Sequence, residues 1–252
     1  MIVLNILLFA LVGFIAQIID GALGMAYGVS STTFLLSLGV PPATASASVH
    51  TAEIFTTATS GFSHLKMGNV NHKLAFSLLI PGAIGGVVGA YILTNVPTKI
   101  IKPVVAAYLL AMGVVILIRA LGKETPVADG EPKPLLLARV GGFFDAIGGG
   151  GWGPIVTSTL VARGHNPRFT IGSVNATEFF VTTAEAVTFI VTIGSVLLEN
   201  WTTIVGLLLG GMIAAPLAAW VCKRLPTKAL MIMVSVLITL LSIRTIVLTF
   251  VG

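Results

Sequence analysis

The sequence Asp145-Ala-Ile-Gly-Gly-Gly-Gly-Trp-Gly-Pro154 lies between two largely apolar segments, residues 135–147 and 151–163, each shorter than a membrane-spanning helix. Four consecutive glycines are a poor helix interior, since each costs about 1 kcal/mol relative to alanine. Backbone that leaves a helix at membrane depth is tolerated only where it lines a cavity or is buried in protein. This stretch therefore predicts a broken or re-entrant helical hairpin whose two short helices meet near the membrane midplane.

An earlier stretch, Asp20-Gly-Ala-Leu-Gly-Met-Ala-Tyr-Gly28, matches the first one at an offset of 125 residues. The match runs without a gap over 38 positions, of which 12 are identical. The identical pairs include Asp20 and Asp145, Gly24 and Gly149, Gly28 and Gly153, Thr32 and Thr157, and Glu53 and Glu178. Shared acids, glycines and hydroxyls in an apolar chain are typical of a transporter built from two related halves.

The composition places the whole chain in a membrane. It is 56% hydrophobic and 9% charged, whereas soluble domains carry about 25% charged residues. Residues 2–19, 21–49, 74–98, 146–162 and 200–222 contain no Asp, Glu, Lys or Arg. We predict an all-α polytopic membrane protein in which each half holds one hairpin and about three transmembrane helices. The first repeat covers residues 1–121, a polar cytoplasmic linker covers 122–134, and the second repeat covers 135–252.

The distribution of basic residues predicts that the two repeats are inverted. With inverted halves, one side receives eleven basic residues: Lys66, Lys73, Arg119, Lys123, Lys133, Arg139, Arg163, Arg168, Lys223, Arg224 and Lys228. The other side receives Lys99 and Lys102. Parallel halves would reduce this bias to eight against five, and cytoplasmic loops are the ones rich in Lys and Arg. We therefore predict inverted repeats, with the eleven-residue side in the cytoplasm.

Two glutamates mark the predicted centre of the protein. Glu53 and Glu178 occupy equivalent mid-helix positions, and His50 and Asn175 precede them by three residues, on the same helix face. A charge at the bilayer centre costs at least about 2.5–3.5 kcal/mol, so it needs a partner, water or a proton. These glutamates either couple transport to protons or lock two helices together. Because Glu53 has a titratable neighbour, we assign it the larger role in coupling.

Aspartates and glycines of the hairpins predict an anion site. Asp20 and Asp145 precede the glycine breaks, where an aspartate can cap the following helix; they are also candidates for proton coupling. Helix starts at the midplane would offer free N–H groups and a positive dipole end to an anion. The predicted substrate-binding residues are Gly24, Gly28, Thr32, Ser48, His50, Gly149, Gly150, Gly151, Trp152, Gly153, Thr157, Ser173 and Asn175.

The doubled glycine-rich hairpins, each followed by a proline and then Ser-Val-His or Ser-Val-Asn, resemble the signature of the TauE/SafE sulfite exporter family. The resemblance covers nearly the whole chain. It implies a multi-pass carrier of sulfite or small organosulfonates in a bacterial or archaeal inner membrane. With the residue pattern, it favours a proton-coupled secondary transporter working by alternating access. An anion channel and a carrier of metal cations are the alternatives.

Other function classes find little support in the sequence. An enzyme is not expected, because Ser48 and His50 lie about 200° apart on a helix and cannot form a nucleophile–base pair. No Walker motif is present, and the single Cys222 excludes a thiolate cluster, so we predict no cofactor and no bound metal. The expected partners are a small anion and the lipid bilayer, without nucleic acid, for a monomer or homodimer.

Overall fold

Helices build every described part of the chain apart from its turns. The computed structural model describes residues 2–23, 27–122, 134–163, 165–222 and 227–251. The first half contains helices α1 (Ile2–Leu23), α2 (Tyr27–Ser37), α3 (Pro42–Lys66), α4 (His72–Asn95) and α5 (Thr98–Leu121). The second contains α6 (Pro134–Gly148), a π-helical turn (Gly153–Thr157), α7 (Ser158–Ala162), α8 (Pro167–Glu199), α9 (Trp201–Cys222) and α10 (Thr227–Val251).

Helix ends follow the prolines, glycines and polar caps of the sequence. Gly39, with φ +91°, ends α2, and Gly68, with φ +64°, ends α3, since glycine adopts positive φ at little cost. Asn71 caps α4 by accepting a hydrogen bond from the N–H of Leu74 at 3.2 Å. Helix α6 begins at Pro134, the last residue assigned to the linker, and α8 passes a kink at Ile193 to end at Glu199.

Length and composition confirm a multi-pass membrane protein. Among the described residues, five helices are long and apolar enough to span a bilayer: those containing 2–20, 72–95, 98–121, 168–199 and 231–250. Helix α3, which carries the polar residues of the predicted site, is not among them. The first arms of the two hairpins also differ, because α1 has 22 residues and α6 has 15. The first hairpin thus begins with an arm long enough to cross the membrane.

Packing between helices is duplicated in the same way as the sequence. Helix α1 packs on α9, and its repeat equivalent α6 packs on α4, the equivalent of α9. Likewise α3 contacts α9 as α8 contacts α4, while α3 packs on α8 and α5 on α10. Gly85 and Gly210, also repeat equivalents, abut the backbone of α6 and α1, where a Cβ would lie 2.2 Å from the Arg139 carbonyl and 1.9 Å from that of Ala10. Small residues allow such close approach between membrane helices.

The central helices α3 and α8 are repeat equivalents that run in opposite directions. His50, in the first half of α3, contacts Glu185, which lies past the midpoint of α8. Ser60, farther along α3, bonds to Asn175, which is nearer the start of α8. Antiparallel equivalents are what inverted halves require. The orientation of the two halves relative to the membrane stays a prediction.

Two arginines, one on the last helix of each half, connect the halves reciprocally. Arg119 on α5 donates a hydrogen bond to the carbonyl of Pro154 in the second hairpin at 3.1 Å. Arg244 on α10 donates to the carbonyl of Ser37 at the end of the first hairpin. Each fifth helix therefore holds the hairpin of the other half.

Cysteine labelling tests the inverted arrangement. Lys99 and Lys228 are equivalent in the two repeats and are both exposed. In a Cys222→Ser background, cysteines replacing them should react with an impermeant maleimide from opposite sides of the membrane, and Lys66→Cys should label from the side of Lys228→Cys. If positions 99 and 228 react from the same side, the halves are parallel.

Candidate functional site

Each hairpin is closed by the aspartate that precedes its break. Oδ1 of Asp145 accepts hydrogen bonds from the N–H groups of Gly151, at 2.6 Å, and Trp152, at 2.9 Å. In the first half, Oδ1 of Asp20 accepts one from the N–H of Tyr27, the equivalent of Trp152, at 3.2 Å. Carboxylates at helix starts satisfy N–H groups that lack partners within the helix. The capping role predicted for both aspartates is confirmed.

The two hairpins touch through glycine backbone. A Cβ on Gly28 would lie 2.2 Å from the carbonyl oxygen of Gly149, and a Cβ on Gly150 would lie 2.2 Å from the N atom of Val29. Gly149 also has φ +67°, which side-chain-bearing residues rarely adopt. The hydroxyl of Thr32 donates across the contact to the Gly149 carbonyl at 3.2 Å. Glycine is therefore required here because the start of α2 packs directly against the break of the second hairpin.

A small cavity lies where the hairpins meet. It is lined by Asp20, Tyr27, Gly28, Val29, Glu53, Asp145, Gly150, Gly151, Gly153, Pro154 and Glu178. Eight of these are four repeat-related pairs, those at 20 and 145, 28 and 153, 29 and 154, and 53 and 178. The cavity volume is about 10 Å³, close to the least that holds one water molecule. The hairpins must separate before a larger solute can enter.

Helices α3 and α8 bring three ionisable side chains together, and one of them, Glu53, also lines this cavity. Nδ1 of His50 lies 3.3 Å from Oε2 of Glu53 and 3.2 Å from Oε2 of Glu185. Nε2 of the same ring lies 3.2 Å from the carbonyl oxygen of Asp145, to which it donates. The ring stacks on Phe189, with ring centroids 6.0 Å apart. The histidine is thus oriented so that Nδ1 faces the two glutamates.

His50, Asp145 and Glu185 each place one possible ligand atom within 4.8 Å of the others. A small cation can bridge three groups at this spacing, and His50 and Glu185, 3.2 Å apart, are close enough to share a proton. Glu185 was not predicted, because the prediction relied on acids present in both repeats and the repeat equivalent of Glu185 is Ser60. Its position seven residues after Glu178, on the same helix face, was the available signal, since acids within membrane helices are costly and usually functional.

The equivalent crossing of α3 and α8 carries no charge. There, the hydroxyl of Ser60 donates to Oδ1 of Asn175 at 3.0 Å. Ser60 and Asn175 are the equivalents of Glu185 and His50, so one crossing joins a histidine to an acid and the other joins an amide to a hydroxyl. The two crossings therefore pair equivalent positions of the repeats, but only one of them contains ionisable side chains.

The predicted site residues divide into three groups. Those lining the cavity are Gly28, Gly150, Gly151, Gly153, Asp20, Asp145, Glu53 and Glu178. Gly149, Thr32 and His50 lie behind it, and Ser48 and Thr157 are buried with hydroxyls that lack a hydrogen-bond partner. The third group forms hydrogen bonds away from the cavity. Ser173 accepts one from the N–H of Asn71, and Asn175 accepts one from the hydroxyl of Ser60. Nε1 of Trp152 donates one to the Val174 carbonyl. Gly24 lies outside the described residues.

The side chain of Trp152 packs between helices, against α4. The side chain is fully buried, and a Cβ on Gly82 of α4 would lie 2.5 Å from its ring. It does not belong to the described lining of the cavity, whereas its repeat equivalent Tyr27 does. The backbone N–H of Trp152 takes part in the site through Asp145. Of these two equivalent aromatic residues, only Tyr27 lines the cavity.

Apolar helices, a duplicated helical arrangement and two broken hairpins around a buried polar cavity define a multi-pass membrane transporter. The family model described as "Sulfite exporter TauE/SafE" matches residues 9–245, and the chain belongs to this family. The chain is 41% identical over 250 residues to the "Probable membrane transporter protein YtnM" of Bacillus subtilis (strain 168), covering 96% of this chain and 83% of that protein. No solved structure matches it significantly. The chain is a transporter and not an enzyme.

Proposed function

We propose that this protein is a secondary transporter that moves a small sulfur-containing anion, sulfite or an organosulfonate, by alternating access and with proton coupling. The observation that carries the proposal is the cavity formed by repeat-related residues where the two hairpins meet. The name of the family supports sulfite as one substrate. We further propose that the protein works in the inner membrane.

The anion would be held by backbone rather than by basic side chains. The described lining of the cavity contains glycines from both hairpins and neither Lys nor Arg. Helix starts carry unpaired N–H groups and a partial positive charge that favour anions. The N–H groups of Tyr27, Gly151 and Trp152 are bonded to the two aspartates in this structure. When the hairpins part, a small oxyanion would take the place of an aspartate at these N–H groups.

Charge balance is the argument for protons. The same cavity is lined by Asp20, Asp145, Glu53 and Glu178. The two aspartates are matched by backbone donors, but an ionised glutamate 4 Å from an anion would oppose it by about 4 kcal/mol at an effective dielectric constant of 20. About 1.4 kcal/mol is a tenfold change in affinity. Protonation of Glu53, which also contacts His50, would remove its part of this penalty as the anion binds.

The small size of the cavity favours a carrier over a channel. A volume of about 10 Å³ is too small to hold an oxyanion, so the hairpins have to move before one can pass. Paired halves around a central site suit alternating exposure, whereas channels usually place a filter on an oligomer axis.

The proposal is tested with purified protein in detergent and in liposomes. Sulfite, sulfate, thiosulfate, taurine and sulfoacetate are compared by thermal shift, because a ligand that binds only the folded state raises its stability with concentration. Sulfite or a sulfonate should stabilise the protein and show saturable exchange. Stabilisation by divalent cations alone would favour the cation carrier, and flux that never saturates would favour the channel.

A further inference from the structure

Glu185 is the most deeply buried acid of the described residues, and it does not belong to the described lining of the cavity. Its exposed fraction is 0%, and neither carboxylate oxygen has a hydrogen-bond partner. Oε2 lies 3.2 Å from Nδ1 of His50, which also lacks a hydrogen-bond partner. A buried polar atom left unsatisfied costs about 1–3 kcal/mol, and more if it is charged. One proton between these atoms would satisfy both.

The fold makes room for this carboxylate. A Cβ on Gly86 of α4 would lie 2.3 Å from Oε1 of Glu185. Gly211, the repeat equivalent of Gly86, has no such role, since a Cβ there would lie 3.6 Å from the Tyr27 ring in ordinary contact. Gly86 therefore accommodates the acid at one crossing only.

The surroundings of Glu185 contain acids and one base. Helix α3 presents His50 and Glu53, α6 presents Asp145, and α8 itself carries Glu178 two turns away. Helix α4 presents Gly86. His50 cannot turn away from Glu185, because its other nitrogen is bonded to the Asp145 carbonyl and its ring is stacked on Phe189.

We infer that Glu185 and His50 together hold the transported proton, and that only this one of the two α3–α8 crossings couples transport to protons. The inference rests on the proposed function. A proton from water on one side of the membrane binds to a carboxylate oxygen of Glu185 or to Nδ1 of His50. The same O–H or N–H bond breaks when the proton is released to water on the other side. Glu53 joins this pair to the cavity, because it lines the cavity and contacts Nδ1. The neutral crossing of Ser60 and Asn175 has no group that can take up a proton in this way.

The test separates exchange of substrate from movement of protons. Proteoliposomes are assayed in parallel with labelled sulfite and labelled sulfoacetate, with lipid-only vesicles as the blank. Exchange of internal for external substrate needs no net proton transfer, whereas accumulation driven by an imposed pH gradient does. Sulfoacetate stays ionised near neutral pH, so protons seen with it are not carried by the probe.

In Glu185→Gln, the rate of substrate exchange should stay within about twofold of wild type. The accumulation driven by the pH gradient should fall at least about tenfold. Glu185→Asp should recover part of the coupling, and Ser60→Ala, the matched change at the neutral crossing, should leave it intact. Gly86→Ala should impair coupling by displacing the carboxylate, while Gly211→Ala should not.

Gradient-driven accumulation that survives in Glu185→Gln overturns the inference. If Glu185→Gln does not fold, Gly86→Ala decides, and full coupling in that variant also overturns it. Wild-type protein that exchanges neither probe would instead contradict the proposed function, so the two failures are distinguishable.

Discussion

Gly150→Ala is expected to reduce exchange of sulfite at least tenfold in a protein that still folds. The new methyl group would lie 2.2 Å from the N atom of Val29 and 2.7 Å from Cα of Gly28. Backbone on both sides cannot yield as a flexible side chain would, so the hairpins must move apart. Overpacking of this kind costs typically about 1–3 kcal/mol. The closed arrangement would then be lost from the transport cycle.

Gly194→Ala is the matched control for this substitution. Gly194 lies in α8, and the nearest atom to a Cβ there is 3.9 Å away. Exchange in liposomes and the midpoint of thermal unfolding in detergent are measured for both variants, and ligand-induced stabilisation reports binding. Wild-type exchange by a correctly folded Gly150→Ala protein would show that contact between the hairpins is not needed for transport. Gly151→Leu, which places a side chain against Tyr108 and α6, should likewise lose transport.

Glu53→Gln should make flux insensitive to an imposed pH gradient while leaving anion binding largely intact. The substitution keeps the shape of the side chain that lines the cavity and removes its ability to exchange a proton with His50, 3.3 Å away. Flux of sulfoacetate is measured with and without a pH gradient, and binding is measured by thermal shift. The expected loss is at least about tenfold in the gradient-driven component.

Glu178→Gln is the control at the equivalent position. Glu178 lines the same cavity, but Asn175 stands where the first half has His50. Its substitution should therefore leave the response to the pH gradient in place. If Glu53→Gln transports with the same pH dependence as wild type, Glu53 is a structural contact between helices. Equal loss in both variants would mean that the two halves share the proton role.

Much of the fold could be predicted because the membrane simplifies the sequence. Charge-free segments, prolines at helix starts and glycines at helix ends place most helices to within a few residues. The kink at Ile193 lies inside α8 and does not end it. Capping by Asp20 and Asp145 was predictable because it is local, joining residues six or seven positions apart.

The arrangement of the site could be predicted only in part. The repeat identified Glu53 and Glu178, which do line one cavity. The same repeat concealed Glu185, since its equivalent Ser60 is neutral. The displacement of the Trp152 side chain into the packing between helices depends on the space at Gly82, seventy residues away in the chain. Contacts of that kind depend on tertiary packing, which no local pattern encodes.

The reciprocal bonds of Arg119 and Arg244 bear on how the molecule is divided. Each hairpin is held by the fifth helix of the opposite half, and α1 packs on α9 as α6 packs on α4. Each half therefore covers surfaces that the other half would otherwise expose, and the interface between the halves forms the interior of the molecule.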